Sequence, residues 1–261
     1  MKCRVGLVQM PVTDDKAANL RRARQEIDRA AAAGAELVVL PEMFCVPYET
    51  ARFPDYAEAT GGEAQEMLSA AACENHVWLI GGSICEVEDG RYYNTCYIYD
   101  DAGRFVAKHR KAHLFDIDIK GGQYFKESDI LSPGQSLTVF ESPWGNIGVG
   151  ICFDIRFADM AAAMVDAGAR LLIYPAAFNM STGPRHWELL FRARANDGQC
   201  FAVGCAPARN TAASYVSWAH SIVADPWGRV QRDLGTEAVT EVVTLDLDEI
   251  DSVRAQIPLG H

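Results

Sequence analysis

The sequence predicts an α/β fold in which buried sheets are covered by helices. Three observations lead there. Short β-branched runs alternate with stretches whose apolar residues recur at helical spacing. Helices placed between buried strands imply sheet layers with helices packed on them. No composition shift marks a linker, and no period of about 20 to 50 residues or low-complexity tract suggests a solenoid. A chain of 261 residues with 49% hydrophobic content can bury a layered core, so the expectation is one domain over 1–261.

The elements follow in order. Arg4 to Met10 reads as a strand, and Asp14 to Gly34 as a helix on which Leu20, Ile27 and Ala31 share a face. Asn19 falls inside that helix, which leaves a later start open. Glu36 to Leu40 reads as a buried strand ended by Pro41, close-packed on the preceding helix. The cycle repeats with a helix Glu63 to Asn75 and a strand Val77 to Ile84, followed by a turn around Gly90. Thr95 to Tyr99 and Arg104 to Lys108 then read as a hairpin about the turn Asp100-Asp101-Ala102-Gly103. A third cycle comprises strand Asn146 to Ile151, helix Ala158 to Ala167, strand Arg170 to Tyr174, helix Arg185 to Asp197 and strand Cys200 to Gly204. Late strands are expected at Ala219 to Ala224, Val230 to Arg232 and Val239 to Asp246.

Composition excludes several roles. A net charge of -11 and a pI near 5.0 repel nucleic-acid backbones and anionic membranes, so neither is expected as a partner. The apolar stretch at the N-terminus is too short for a signal h-region, and no segment approaches the roughly 18 apolar residues of a membrane span. Eight cysteines are scattered through mostly apolar runs without a CxxC pair, which fits reduced thiols in a cytoplasmic protein. His109 and His113 stand four residues apart, but VAKHRKAHLFD reads as a strand leaving into a loop, and no metal is expected.

Three segments place a reactive side chain just beyond a buried strand, where α/β folds gather their sites. In LVVLPEMF, Glu42 follows four apolar residues and a proline; desolvation there suits a general base, and the alternative is an ordinary solvated loop glutamate. In VAKHRKAHLF, strand alternation puts His109 and Lys111 on one face and Lys108 and Arg110 on the other. That segment is either a solvated basic edge or a means of pointing one cation into a cleft. In GNIGVGICFDIRF, a glycine-interrupted strand runs into Cys152 shortly before a helix. Such a turn exposes the side chain at its apex, and the helix N-terminus lowers a thiol pKa. The alternative is that Cys152 is one more buried small hydrophobe.

Taken together, LPEMF, KHRKAHLF and GICFDIRF, in that order and about 70 and 40 residues apart, resemble the Glu, Lys and Cys motifs of the nitrilase, or carbon–nitrogen hydrolase, superfamily. FKESDILSPG, YPAAFNMSTGPRHWELLFRARANDGQ, APARN and SYVSWAHSIVADPWG are most similar to its omega-amidase branch. The resemblance implies a four-layer αββα sandwich, a homodimer, no cofactor, and hydrolysis of the terminal carboxamide of a small dicarboxylic monoamide such as succinamate or alpha-ketoglutaramate. It implies Cys152 as nucleophile, Glu42 as base, Lys111 facing the oxyanion beside the Phe153 N–H, and Glu127 as an orienting carboxylate. Two carboxylates beside one lysine should titrate as a coupled unit.

The substrate's far carboxylate needs a cation or hydroxyls. Arg156 leads the candidates, ahead of Tyr48, Thr182 and His186, unless it is held in an ion pair with Asp154 or Asp159. KGGQYF stands where the branch has a proline-bearing loop, so the pocket rim is expected to differ. The chain stops at QIPLGH, earlier than many relatives, which is expected to weaken a C-terminal dimer contact. Within the superfamily, a nitrilase or an N-carbamoyl amino acid hydrolase would use the same three residues. Outside it, the competing readings are a non-catalytic scaffold and a papain-like peptidase with His113 or His186 as base.

Overall fold

Residues 1–118, 120 and 124–259 are described by the computed structural model. Gly121, Gly122 and Gln123 of the KGGQYF loop lie outside that range, as do Gly260 and His261 of the QIPLGH end.

The first half of the chain builds one sheet and its helices. Strand β1 (Lys2–Gln9) is followed by helix α1 (Lys16–Ala32), β2 (Leu37–Val39), a single turn α2 (Phe53–Tyr56), α3 (Glu63–Asn75), β3 (Trp78–Ile80), β4 (Ile84–Glu88), β5 (Arg91–Tyr99) and β6 (Phe105–Arg110). A small hairpin, β7 (Asp116–Asp118) and β8 (Tyr124–Lys126), stands apart. The second half forms β9 (Thr138–Ser142), β10 (Gly145–Val149), α4 (Ala158–Asp166), β11 (Ala169–Pro175), α5 (Gly183–Gly198), β12 (Phe201–Cys205), β13 (Ile222–Ala224) and β14 (Val230–Asp233). Strand β15 (Val239–Asp246) and α6 (Asp248–Gln256) complete it.

Two sheets result. One runs β15-β1-β2-β3-β5-β4, with β6 also paired to β5, and the other runs β14-β13-β12-β11-β10-β9. In the first, β1, β2 and β3 are parallel, while the last strand of the chain returns to pair antiparallel with the first. Alternation sorts the side chains. Val5, Leu7, Leu37 and Val39 enter the core shared with Ile147, Val149, Leu171 and Ile173 of the second sheet. Val8, Val38 and Leu40 pack instead with Leu20, Ile27 and Leu68 of α1 and α3. The sheets touch directly, for the Cys205 thiol donates to the carbonyls of Val8 (3.4 Å) and Val39 (3.2 Å). With Met164, Trp187 and Phe191 of α4 and α5 on the far side of the second sheet, the four-layer αββα sandwich expected from the motifs is the fold.

Several boundaries differ from expectation. Asn19 does not delay α1, which starts at Lys16 behind the Asp15 cap; its amide instead bonds Thr13 (Oδ1 from N at 3.0 Å, Nδ2 to O at 2.6 Å). The strand expected over Val77 to Ile84 is broken into β3 and β4. Ile80 pairs with Ile98 and Ile84 with Thr95, so one extra residue is inserted at Gly81-Gly82-Ser83. A bulge of this kind re-aims the neighbouring chain.

Candidate active site

The broken strand positions Glu42. Leu40 N–H donates to Ile80 O (3.0 Å), extending the β2 ladder by one residue before Pro41, which has no N–H to give. The chain then turns through Met43, whose φ of 49° is in the left-handed region. Ser83 holds that turn, its Oγ accepting from Met43 N–H (2.9 Å) and its carbonyl from Phe44 N–H (3.2 Å). Gly82 permits the approach: its φ is +59°, and a Cβ there would stand 2.2 Å from Pro41 O. Glu42 is consequently fully buried.

Lys111 reaches the same place from β6. Alternation separates the basic run as expected, with Lys108 and Arg110 bonding Glu86 at 2.6 and 2.7 Å on one face. His109 and Lys111 turn inward and are buried. Lys111 N–H still bonds Asn94 O (2.8 Å), so the residue is held as if in the strand. Its ammonium donates to Glu42 Oε1 (2.9 Å) and to Glu127 Oε1 (3.0 Å), and stands 3.3 Å from the Tyr48 hydroxyl. Burial alone would lower the lysine, but the charges of Glu127 and Glu42 outweigh it and hold Lys111 above the ordinary value.

The two carboxylates are not equivalent. Glu127 accepts at both oxygens, from Tyr48 OH (2.6 Å) at Oε1 and from Phe115 N–H (2.7 Å) at Oε2, besides the lysine. Burial pushes its carboxyl up, the charge of Glu42 adds to that, and Lys111 opposes it. Glu42 Oε1 accepts from Tyr48 (3.0 Å), Asn94 Nδ2 (2.8 Å) and Lys111. Its Oε2 is buried and, among the described residues, has no partner.

Cys152 follows β10 by way of Gly150, a position where a Cβ would press on Tyr174 at 2.7 Å. The cysteine has φ 47° and opens a 3-10 turn over Cys152–Arg156, ahead of α4. The strand-to-helix turn is thus as expected, but two consequences drawn from it are corrected. The thiol is not exposed at an apex; Cys152 is 4% accessible. Nor is its pKa depressed: burial first and the Glu42 charge second push it well up, against the opposing pull of Lys111 and a hydrogen bond from Ala177 N–H. A short helical turn cannot offset desolvation together with a carboxylate. Those same influences place Cys152 within the field of Glu42, Lys111 and Glu127. The Phe153 N–H is in the first turn after the thiol, where a helical turn leaves its donors without intrahelical acceptors.

The expected substrate-binding residues divide. Arg156 makes no ion pair with Asp154 or Asp159 among the described residues; its Nη1 instead meets His186 Nδ1 at 3.2 Å, and its buried Nε has no partner. Its guanidinium lies over the rings of Phe153 (5.3 Å) and Phe178 (5.0 Å), and burial lowers its pKa. His186, beside it, is lowered by burial and by Arg156. Thr182 is buried at the start of α5, its hydroxyl donating to Asn179 Oδ1 (2.9 Å). Tyr48 is placed elsewhere, its hydroxyl bridging the two glutamates and its ring stacked on Phe125.

Sequence reasoning missed Asn94, Ala177 and Tyr215. Asn94 lies between Tyr93 and Thr95 at the start of the buried part of β5, and an amide in a buried strand is the one signal that could have marked it. Tyr215, whose hydroxyl bonds Ala177 O, joins Glu42, Tyr48 and Ala177 around a cavity of about 380 Å³ that also reaches Arg52 and Ser217.

An αββα sandwich that gathers a carboxylate, an ammonium and a thiol at its strand ends defines a nitrilase-type carbon–nitrogen hydrolase. The chain belongs to the carbon–nitrogen hydrolase family, whose sequence model matches residues 4–255. It is 50% identical to the omega-amidase NIT2 of Xenopus tropicalis over 258 residues, covering 99% of this chain and 94% of that one. It is 46% identical to the human omega-amidase NIT2, covering 98% and 93%. Among solved structures, Saccharomyces cerevisiae Nit3, a member of branch 10 of the nitrilase superfamily, superposes with a TM-score of 0.92 at 39% identity, covering 100% of this chain and 96% of that one. Among the described residues no helix is long and apolar enough to cross a membrane.

Proposed function

We propose that this chain is an omega-amidase that hydrolyses the terminal carboxamide of a small dicarboxylic monoamide, such as succinamate or alpha-ketoglutaramate, through a thioester on Cys152. The observation that carries the reading is Oε2 of Glu42, a buried acceptor with no partner among the described residues, near a thiol whose proton is held at neutral pH. A protonated thiol is a weak nucleophile, so the reaction needs a base at the moment of attack. Glu42 meets Tyr48, Asn94 and Lys111 through Oε1, and among the described residues its Oε2 has no partner and is open to take the proton.

Attack of Cys152 Sγ on the amide carbon forms the C–S bond and moves the carbonyl electron pair onto oxygen. Lys111 and the Phe153 N–H stabilise that charge. The ammonium protons already have acceptors, and the contact with Tyr48 at 3.3 Å is the longest, so it is the one to be exchanged for the oxyanion. Glu42 returns its proton to the leaving nitrogen, ammonia departs, and water activated by Glu42 cleaves the thioester to the acid. Glu127 holds the lysine in place.

Arg156, with His186 at 3.2 Å and Thr182 bonded to His186 at the start of α5, is the proposed seat for the distal carboxylate. Among the described residues this half-buried guanidinium has no acidic partner and lies over two aromatic rings, which supports the assignment, because a partly desolvated cation gains from an incoming anion. The chain functions as one domain over 1–261 without a cofactor. A homodimer is proposed through the α4–α5 layer, where Leu189 and Phe157 stand exposed. Eight unpaired cysteines support a cytoplasmic location.

The test is ammonia release from succinamate, an aliphatic nitrile and an N-carbamoyl amino acid, with Cys152→Ala alongside. Turnover of succinamate alone, abolished in the variant, is the expected result. Preference for the nitrile or the ureido acid would move the chain to another activity of its family, and full activity in Cys152→Ala would end the thioester mechanism.

A further inference from the structure

We infer that Asp154 is a positioning residue for the reaction, a buried brace that ties the turn bearing Cys152 to the strand bearing Lys111. The carboxylate is buried and accepts four hydrogen bonds. Two come from His113, from its N–H (2.9 Å) and its Nδ1 (2.8 Å), both to Oδ1. The others reach Oδ2, from His109 Nε2 (3.0 Å) and from Ile151 N–H (2.9 Å). His109 and His113 flank Lys111 on either side, and Ile151 immediately precedes Cys152. One side chain therefore spans two segments about 40 residues apart in sequence that carry the ammonium and the thiol.

The chemistry of the contacts makes the brace directional. An ionised carboxylate only accepts, so His109 presents Nε2–H to it, and the opposite ring nitrogen faces Thr138 Oγ1 at 3.0 Å. His113 presents Nδ1–H, and its ring stacks on Phe157 with centroids 3.4 Å apart, which fixes the ring plane. Burial works against the carboxylate, yet the two histidines and the Ile151 amide hold Asp154 well below its ordinary value, so it stays ionised. Cys152 has φ 47°, a conformation that persists only where the surroundings over-determine it. The bond from Ile151 N–H to the Asp154 side chain closes that turn within three residues.

The inference rests on the reading of Cys152 and Lys111 given above, and the experiment separates the two. Asp154→Asn keeps the shape and some of the bonds but cannot accept all four. The expected result is a fall in kcat on the order of a hundredfold, the usual effect of a 1 Å misplacement of a reacting group. KM for succinamate should stay within about twofold, since no substrate contact is removed. Alkylation of Cys152 by iodoacetamide, located by mass spectrometry, should slow in step with kcat. Thr138→Val, which removes only the hydroxyl behind His109, should show the same pattern more weakly and serves if Asp154→Asn does not fold. A lowered Tm with kcat and Cys152 alkylation unchanged in the folded protein would overturn the positioning role. Ammonia release by Cys152→Ala would instead overturn the reading of the nucleophile and leave the brace to be judged by alkylation of the wild type and Asp154→Asn at a common pH.

Discussion

Replacing Lys111 by Met removes the charge while nearly keeping the volume, and the structure sets the consequences. The Tyr48 hydroxyl is 3.0 Å from Glu42 Oε1 and 2.6 Å from Glu127 Oε1. The two oxygens therefore lie within about 6 Å of each other, where like charges repel by about 3 kcal/mol at an effective dielectric near 20. Removing one partner from a buried ionic cluster typically costs about 3–5 kcal/mol, which agrees in size. The loss should depend on pH. In the wild type, Lys111 is raised, so its contribution is complete below the ordinary lysine value and is lost only as pH climbs past it; it is present at pH 5 and at pH 8 alike. Glu127 is also raised, so the benefit of burying its neutral form is complete below the ordinary glutamate value and disappears as pH rises through the folded value. Without the ammonium that value climbs further, and the deficit of Lys111→Met should be small at pH 5 and large at pH 8. Urea unfolding at the two pH values reads the difference. In the same variant, loss of the cation proposed to face the oxyanion should reduce kcat for succinamate by about a hundred- to a thousandfold. Equal destabilisation at both pH values, or kcat within tenfold of the wild type, would refute the reasoning.

Arg156→Gln should lower kcat/KM for succinamate by about 10- to 100-fold, the equivalent of one or two charge-assisted hydrogen bonds, and leave an uncharged amide such as butyramide unaffected; parallel losses on both substrates would show that the guanidinium holds the Cys152 turn instead. Tyr48→Phe removes a hydroxyl that bridges both carboxylates and should reduce kcat about tenfold while lowering stability by about 1–3 kcal/mol, as read by ammonia release and urea unfolding. Gly82→Ala places a Cβ at a left-handed position 2.2 Å from Pro41 O. The backbone strain alone should cost about 1–3 kcal/mol, and a thermal melt of that variant should fall by several degrees with a loss of activity, because the Glu42 turn is displaced.

The sequence alone determined the layers and marked the three residues proposed for the chemistry. Leu37, Val38 and Val39 form an apolar strand that Pro41 must end, which puts Glu42 just past it. Alternation along Lys108, His109, Arg110 and Lys111 sends one cation inward. Glycines before Cys152 announce a strand that stops and turns. Each signal is local, carried by neighbours a few residues apart, and so it survives in a linear reading. The one broken element, β3–β4, escaped because Gly81 and Gly82 interrupt the strand for the sake of a distant partner, the Glu42 turn, and nothing nearby records that partner.

Only the tertiary structure decided how the site is charged. Asn94 and Lys111 meet Glu42 from 52 and 69 residues away in the chain, leaving Oε2 open. Cys152 turned out to be raised and buried, where its position before a helix suggested a lowered, exposed thiol. Arg156 faces His186 because His109 and His113 have already claimed Asp154. These outcomes depend on which groups share one volume of low dielectric, and that is set by strand pairing and layer stacking, which no periodicity in the sequence encodes.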